Sequence, residues 1–134
     1  MTNRKATTTL TTAVTGGIWA IGPVEDEPQV SLEDWSVFEV LVPGIGVKTR
    51  HFVGTNLHGR EGRASSPIVE FDATTRQGRT SSGRVYQLVG KRTGLCSDAS
   101  YVWNIWKSRN QAAEVVDVTE DIKQWITGVS NGRT

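Results

Sequence analysis

Between Ile68 and Val89 the chain reads IVEFDATTRQGRTSSGRVYQLV, and its β-branched and aromatic positions predict two strands folded back on each other. The first arm runs from Ile68 to Asp72 and the second from Arg79 to Val89, with Ser82-Gly83 marking a bulge in the second. Ahead of this hairpin, Trp35 to Val42 (WSVFEVLV) is apolar at every position except Ser36 and Glu39, the pattern of a strand buried on both faces. Pro43-Gly44 predicts a type II turn, and Val47 to Thr55 returns as the antiparallel partner with Lys48, Arg50 and Phe52 outward. Ile18 to Ile21, framed by Gly16-Gly17 and Gly22-Pro23, predicts a short first strand. Ser31 to Asp34 predicts one helical turn, and Asn56 to Ser66 a loop or twisted edge strand.

Beyond Gly90 the period changes. Ala99, Val102, Ile105 and Trp106 recur at helical spacing, which predicts a helix capped by Ser97 or Asp98 and ending near Asn110. Glu114 to Val118 predicts one more strand. Asp117 or Thr119 then caps a last helix through Ile126, with Ile122, Trp125 and Ile126 on its apolar side. These elements predict an α+β fold: an antiparallel sheet of five or six strands built from consecutive hairpins, with one or two C-terminal helices packed on it. The expected layout is a flexible N-terminal arm over 1–15, a single domain over 16–128 and a disordered tail over 129–134.

Charge changes this picture more than composition does. From Lys48 to Arg109 eleven basic residues face only Glu61, Glu70, Asp72 and Asp98, a balance of +7, while residues 1–47 carry −4 and residues 110–134 carry −2. Arg76, Arg79, Arg84, Lys91 and Arg92 fall on one hairpin and its exit loop, with Arg50 on the strand before. A shared positive face is the expectation, able to meet phosphates or an acidic protein surface. Tyr101 and Trp103 fall off the apolar stripe of the first helix and are expected exposed, the kind of aromatics from which interaction hot spots are made.

Other chemistry is thinner. Cys96 precedes a helix start beside Lys91 and Arg92, an environment that favours a thiolate, but a cysteine nucleophile needs His51 or His58 alongside as base. Glu70 and Asp72 share a strand face, more often a solvated face than an acid/base pair. Gly90-Lys91 lacks the glycine that a phosphate-binding loop needs at position 85, where Val85 stands, and the Ser or Thr it needs directly after the lysine, where Arg92 stands. One cysteine and two histidines give no metal-ligand spacing, so no metal and no cofactor is expected. No apolar run approaches the roughly 20 residues of a membrane span. No secretory signal is expected, which with a lone thiol points to the cytoplasm.

The run TSSGRVYQLVG followed by DASYVWNIW resembles short bacterial proteins carried on plasmids, phages and integron cassettes. That resemblance implies a mobile-element origin and no fold, activity or site residue. The expected function is a small non-enzymatic accessory protein that binds another protein through Arg50, Arg76, Arg79, Arg84, Lys91, Arg92, Tyr101 and Trp103. Nucleic-acid binding through the basic hairpin is the first alternative and a thiol enzyme at Cys96 the second. Pairing of a sheet edge with its copy would give a homodimer.

Overall fold

A computed structural model describes residues 24–44 and 46–132. The arm expected over 1–15 and the strand expected at Ile18 to Ile21 lie outside the described residues. Within them run β1 (Gln29–Val42), β2 (Val47–Asn56), β3 (Glu61–Ala64), β4 (Ile68–Asp72), β5 (Gln77–Thr80), β6 (Val85–Leu88), α1 (Ser97–Asn110), β7 (Ala113–Asp117) and α2 (Thr119–Gly132). The fold is α+β, and among the described residues the strands form one mostly antiparallel sheet.

Consecutive hairpins do not account for the whole sheet. Its strand order is β3-β2-β1-β6-β5-β4, with β7 paired to β1. β1–β2–β3 is one antiparallel meander and β4–β5–β6 a second, and they join through a parallel ladder from Gln29↔Val85 to Leu32↔Leu88. β2 therefore covers one edge of β1 along nearly all its length. The other edge is shared, β6 taking Gln29 to Leu32 and β7 taking Phe38 to Leu41.

The helical turn expected at Ser31 to Asp34 is instead part of β1. The ladder to β2 shifts register between Glu33 and Ser36, where Asp34 adopts a left-handed φ of 48°. Strict alternation from Val30 and Leu32 would bring Asp34 and Ser36 to the same face. The extra residue puts Trp35 and Val37 there instead, and leaves Phe38, Val40 and Val42 on the other. As expected, β1 is buried on both sides. Two turns also differ from expectation. The left-handed residue after β1 is Gly46 (φ 80°), whose N–H donates to Val42 O, and Ser81 to Arg84 is a full turn between β5 and β6, closed by Thr80 N–H on Arg84 O at 3.0 Å.

β3 and β4 end the strand order, yet Ser65, Ser66 and Pro67 alone connect them. Four Cα steps reach about 15 Å. Five strand spacings in a flat sheet would be about 24 Å. The sheet must curl, and Phe52 of β2 accordingly packs against Phe71 of β4 and Tyr86 of β6, ring centroids 6.1 and 5.5 Å away. Gly78 on β5 lies so close to the Phe52 ring that any Cβ there would collide with it. Inside the curl are Val30, Leu32, Trp35, Val37, Tyr86 and Leu88, capped by Val118, just before α2, and Ile122 near its start. On the outer face α1 lays Ala99, Val102, Trp103 and Trp106 against Val40, Val42 and Val53.

A polar cluster fixes where the chain enters this curl. The Arg63 side chain, 4% exposed, donates to Glu27 at 2.9 Å and Glu61 at 2.8 Å, and Asn56 Nδ2 donates to both carboxylates. Arg84 Nε donates to the Glu27 carbonyl at 2.8 Å. Burial pushes the Glu27 carboxyl up, but Arg63 and Asn56 outweigh it and hold the pKa below the ordinary value. Glu27→Gln leaves Arg63 short of a charge in a desolvated place, so a loss of about 2 kcal/mol in denaturant-unfolding stability is expected. An unchanged midpoint and slope would show the cluster to be energetically idle.

His51 is the buried titratable group of the outer face. Its Nδ1–H donates to Ser65 O at 2.8 Å and its Nε2 accepts from the Thr49 hydroxyl at 2.7 Å, with Trp106 4.5 Å from its ring centroid. Burial drives its pKa from 6.5 down to about 4, because a charged imidazole here has no solvent. The folded state therefore binds fewer protons than the unfolded state between these values. That stability is full above pH 6.5, falls as the pH drops from 6.5 to 4, and amounts to about 3 kcal/mol. Stability curves of the parent and His51→Gln should converge across this window, and parallel curves would refute the assignment.

Candidate binding groove

The residues expected to form one positive face are divided by the curl. Six of the basic side chains between Lys48 and Arg109 are held by carboxylates: Lys48 by Glu114, Arg50 by Glu39, Arg60 by Glu33, Arg63 by Glu27 and Glu61, Arg79 by Glu70, and Arg92 by Asp34. Arg92 is bidentate, at 2.7 and 3.0 Å. Arg84, expected at the surface, is 2% exposed, because the turn at Ser81 to Arg84 folds its side chain back under Glu27. Arg76 Nη1 donates to Gly90 O at 3.3 Å, which brings Arg76 to the corner carrying Lys91 and Arg92. Arg50 and Arg79 lie elsewhere.

The aromatic expectations also change. Trp103, expected exposed, is 3% exposed and stacks on Phe38 at 5.0 Å and Trp106 at 5.2 Å. The buried stripe of α1 is Ala99, Val102, Trp103 and Trp106, with Ile105 only half-buried. A helix lying across three strands buries a wider stripe than one edge would require. Tyr101 is exposed at 60%, as expected, but on the face of the sheet opposite α2. Trp125, expected inward, is 51% exposed. Ile122 and Ile126, four apart, take the core, and Trp125 lands on the flank of α2.

That flank borders a groove of about 400 Å³. β2 contributes Lys48, Thr49 and Arg50 to one wall, with Glu39 of β1 behind them. β4 contributes Ile68 to Phe71 to the other, and α2 supplies Ile122 and Trp125. The volume is within the range of small-ligand and peptide sites, roughly 300–1,000 Å³. Arg50 holds the site together: its Nε donates to Glu39 Oε2 at 3.2 Å while the guanidinium lies 5.9 Å from the Trp125 ring centre. A planar cation between a carboxylate and an indole face is fixed in orientation. Glu70 and Arg79 rim the far wall at 3.1 Å.

No family model, curated protein or solved structure matches the chain. The geometry stands alone.

The thiol reading has its own place. Cys96 occupies the cap position of α1, where Ser97 or Asp98 was expected, and its Sγ lies 3.0 Å from Thr55 Oγ1. Thr55 lowers its pKa most, burial opposes this, and the Ala99 and Asp98 N–H groups at the helix head add to the lowering. Both ring nitrogens of His51 are engaged by Thr49 and Ser65, so that imidazole has no free nitrogen to take a thiol proton, and His58 is on the exposed turn after β2. Among the described residues no group of three or more His, Cys, Asp or Glu is placed to hold a metal, and no helix is long and apolar enough to cross a membrane. Alkylation of Cys96 by iodoacetamide should show an apparent pKa below that of an ordinary thiol, and Thr55→Val should raise it. If Thr55→Val left the pH profile in place, the Thr55 contact would not be the cause.

Proposed function

We propose that this chain is a non-catalytic accessory protein that docks a segment of a partner protein in the groove between β2, β4 and α2. The observation that carries the reading is Trp125, half-exposed above Ile122 with Arg50 locked against its ring by Glu39. An exposed tryptophan beside an oriented arginine, over an apolar floor and inside a charged rim, is the anatomy of a binding hot spot. Internal ion pairs favour a protein over a nucleic acid as the partner. A phosphate backbone would have to compete with Glu39, Glu33, Glu70 and Asp34 for the arginines they already hold, and few counterions would be released in return. A reducing compartment, where Cys96 stays a thiol, suits such a protein.

The test is site-specific photo-crosslinking in cells that express the chain. A photoreactive residue in place of Val69, at the groove, should capture a discrete partner that the same residue in place of Tyr101 does not. With that partner purified, Trp125→Ala should weaken binding at least tenfold and Arg50→Ala several-fold, while Arg76→Ala and Lys91→Ala leave it unchanged. Equal affinity of the Trp125→Ala variant and the parent would end the proposal.

A further inference from the structure

We infer that the groove receives its partner as an added β-strand, hydrogen-bonded to the free edge of β2 at Arg50 and Lys48, an inference that rests on the docking role proposed above. β2 pairs with β1 from Val47 to Asn56 but with β3 only from Val53 to Asn56. At Phe52 the outer edge is closed by Ser65, whose N–H donates to Phe52 O at 2.8 Å and whose Oγ accepts from the Phe52 N–H at 2.9 Å. The Phe52 peptide groups therefore point away from β1. Its neighbour across the ladder agrees: Val37 turns its own N–H and C=O the other way, to Thr119 Oγ1 and the Val118 N–H.

Strand geometry repeats every two residues, and the ladder to β1 is regular from Val53 to Val47. Arg50 and Lys48 thus aim their N–H and C=O groups to the same outer side as Phe52. Among the described residues no strand pairs with them there. Across the groove β4 is paired along one edge only, to β5. The groove is thus a slot between two strand edges that meet at Ser65 to Pro67 and diverge from there.

An extended chain fits this slot and a helix does not. A helix about 10 Å across would cover the Arg50 and Lys48 amides while leaving them without partners, whereas a strand satisfies them. The side chains set the chemistry of the occupant. Lys48 and Arg50 lie on the same face of β2 as Phe52, so the adjacent residue of an added strand does best as a carboxylate. Two residues along, the same face meets Phe71, Ile122 and Trp125, which call for a bulky apolar side chain. The occupant is an extended segment of a partner protein with an acidic and a bulky apolar residue two positions apart. A second copy pairing edge to edge would set Lys48 and Arg50 against their own kind.

The probe is a blocked nonapeptide, Thr-Glu-Thr-Phe-Thr-Glu-Thr-Phe-Thr, added to the full chain and followed by amide hydrogen exchange. Saturable binding should slow exchange at the Lys48 and Arg50 amides at least tenfold. N-methylation of alternate peptide nitrogens, or replacement of both glutamates by lysine, should each weaken binding at least tenfold. Failure of the peptide to bind, or binding with Lys48 and Arg50 exchange unaltered, overturns strand addition. In either case the docking reading stands or falls separately, on the purified partner and Trp125→Ala. Slowed exchange of the chain alone, rising with its concentration and accompanied by dimers in sedimentation, would assign the edge to a second copy and overturn the inference.

Discussion

Three residues, Ser65 to Pro67, join the two ends of a six-strand order, and that short tether shapes everything else in this chain. A flat sheet cannot satisfy it, so the strands roll until β4 faces β2, and the roll creates an interior for Phe52, Tyr86 and Trp35. Gly78 is the sign of how tight the roll is, since a side chain there would displace the Phe52 ring. The bulge at Asp34 is the second requirement. Without it β1 would turn Asp34 and Ser36 toward the interior in place of Trp35 and Val37, at the middle of the central strand. The same curl leaves β2 uncovered beyond Phe52, so core and groove have a single origin.

The polar side chains follow from this geometry. Rolling carries Arg63 and Arg84 inward, where a lone guanidinium would be costly, and Glu27 is drawn under both of them at the point where the chain enters β1. Glu27 from the acidic stretch before β1, and Arg63 and Arg84 from the basic middle, are thereby consumed in holding the fold shut. Much of the charge asymmetry along the sequence is internal structure, and less of it is surface potential than its arithmetic suggests. What stays outside is mostly paired: Lys48, Arg60, Arg79 and Arg92 are at least half exposed, each beside a carboxylate, and Arg50 lies between Glu39 and Trp125 at the groove.

Local periodicity made the strands and helices legible. The double-sided burial of β1, its hairpin to β2, the end of α1 at Asn110 and the late strand β7 all follow from spacing within about a dozen residues. The parallel ladder of β1 and β6 did not, because those strands are more than fifty residues apart and no turn residue encodes their meeting. Trp103 and Trp125 exchanged roles for a related reason. Spacing gives the phase of an apolar stripe, but the width of the surface beneath decides how far round the helix burial extends, and α1 lies on a broader surface than α2. Ala99, Val102, Trp103 and Trp106 do carry the spacing of a wide stripe, so that signal was present. The groove had no such signal. Its walls are twenty residues apart in sequence and become neighbours only through the Ser65–Pro67 tether.

An unpaired strand edge is ordinarily a hazard, and chains blunt it with charge, bulges or cover. β7 is blunted in this way, with Glu114 in a left-handed conformation (φ 49°) near its start and Asp117 at its end. The edge of β2 is treated differently: Lys48 and Arg50 guard it, yet both are tied back by Glu114 and Glu39 at distances that an incoming carboxylate can match. Charge of one sign on the guarding residues repels a like edge and admits an unlike one, which is selectivity by exclusion. The Lys48–Glu114 pair is exposed on both sides and worth little, so re-forming it with one incoming carboxylate costs little and leaves Arg50 on Glu39, whereas a phosphate backbone would have to displace several held arginines at once. An edge that was simply undefended would aggregate, and one fully capped would bind nothing. The edge of β2 lies between these extremes, with Arg50 held between Glu39 and Trp125 beside it.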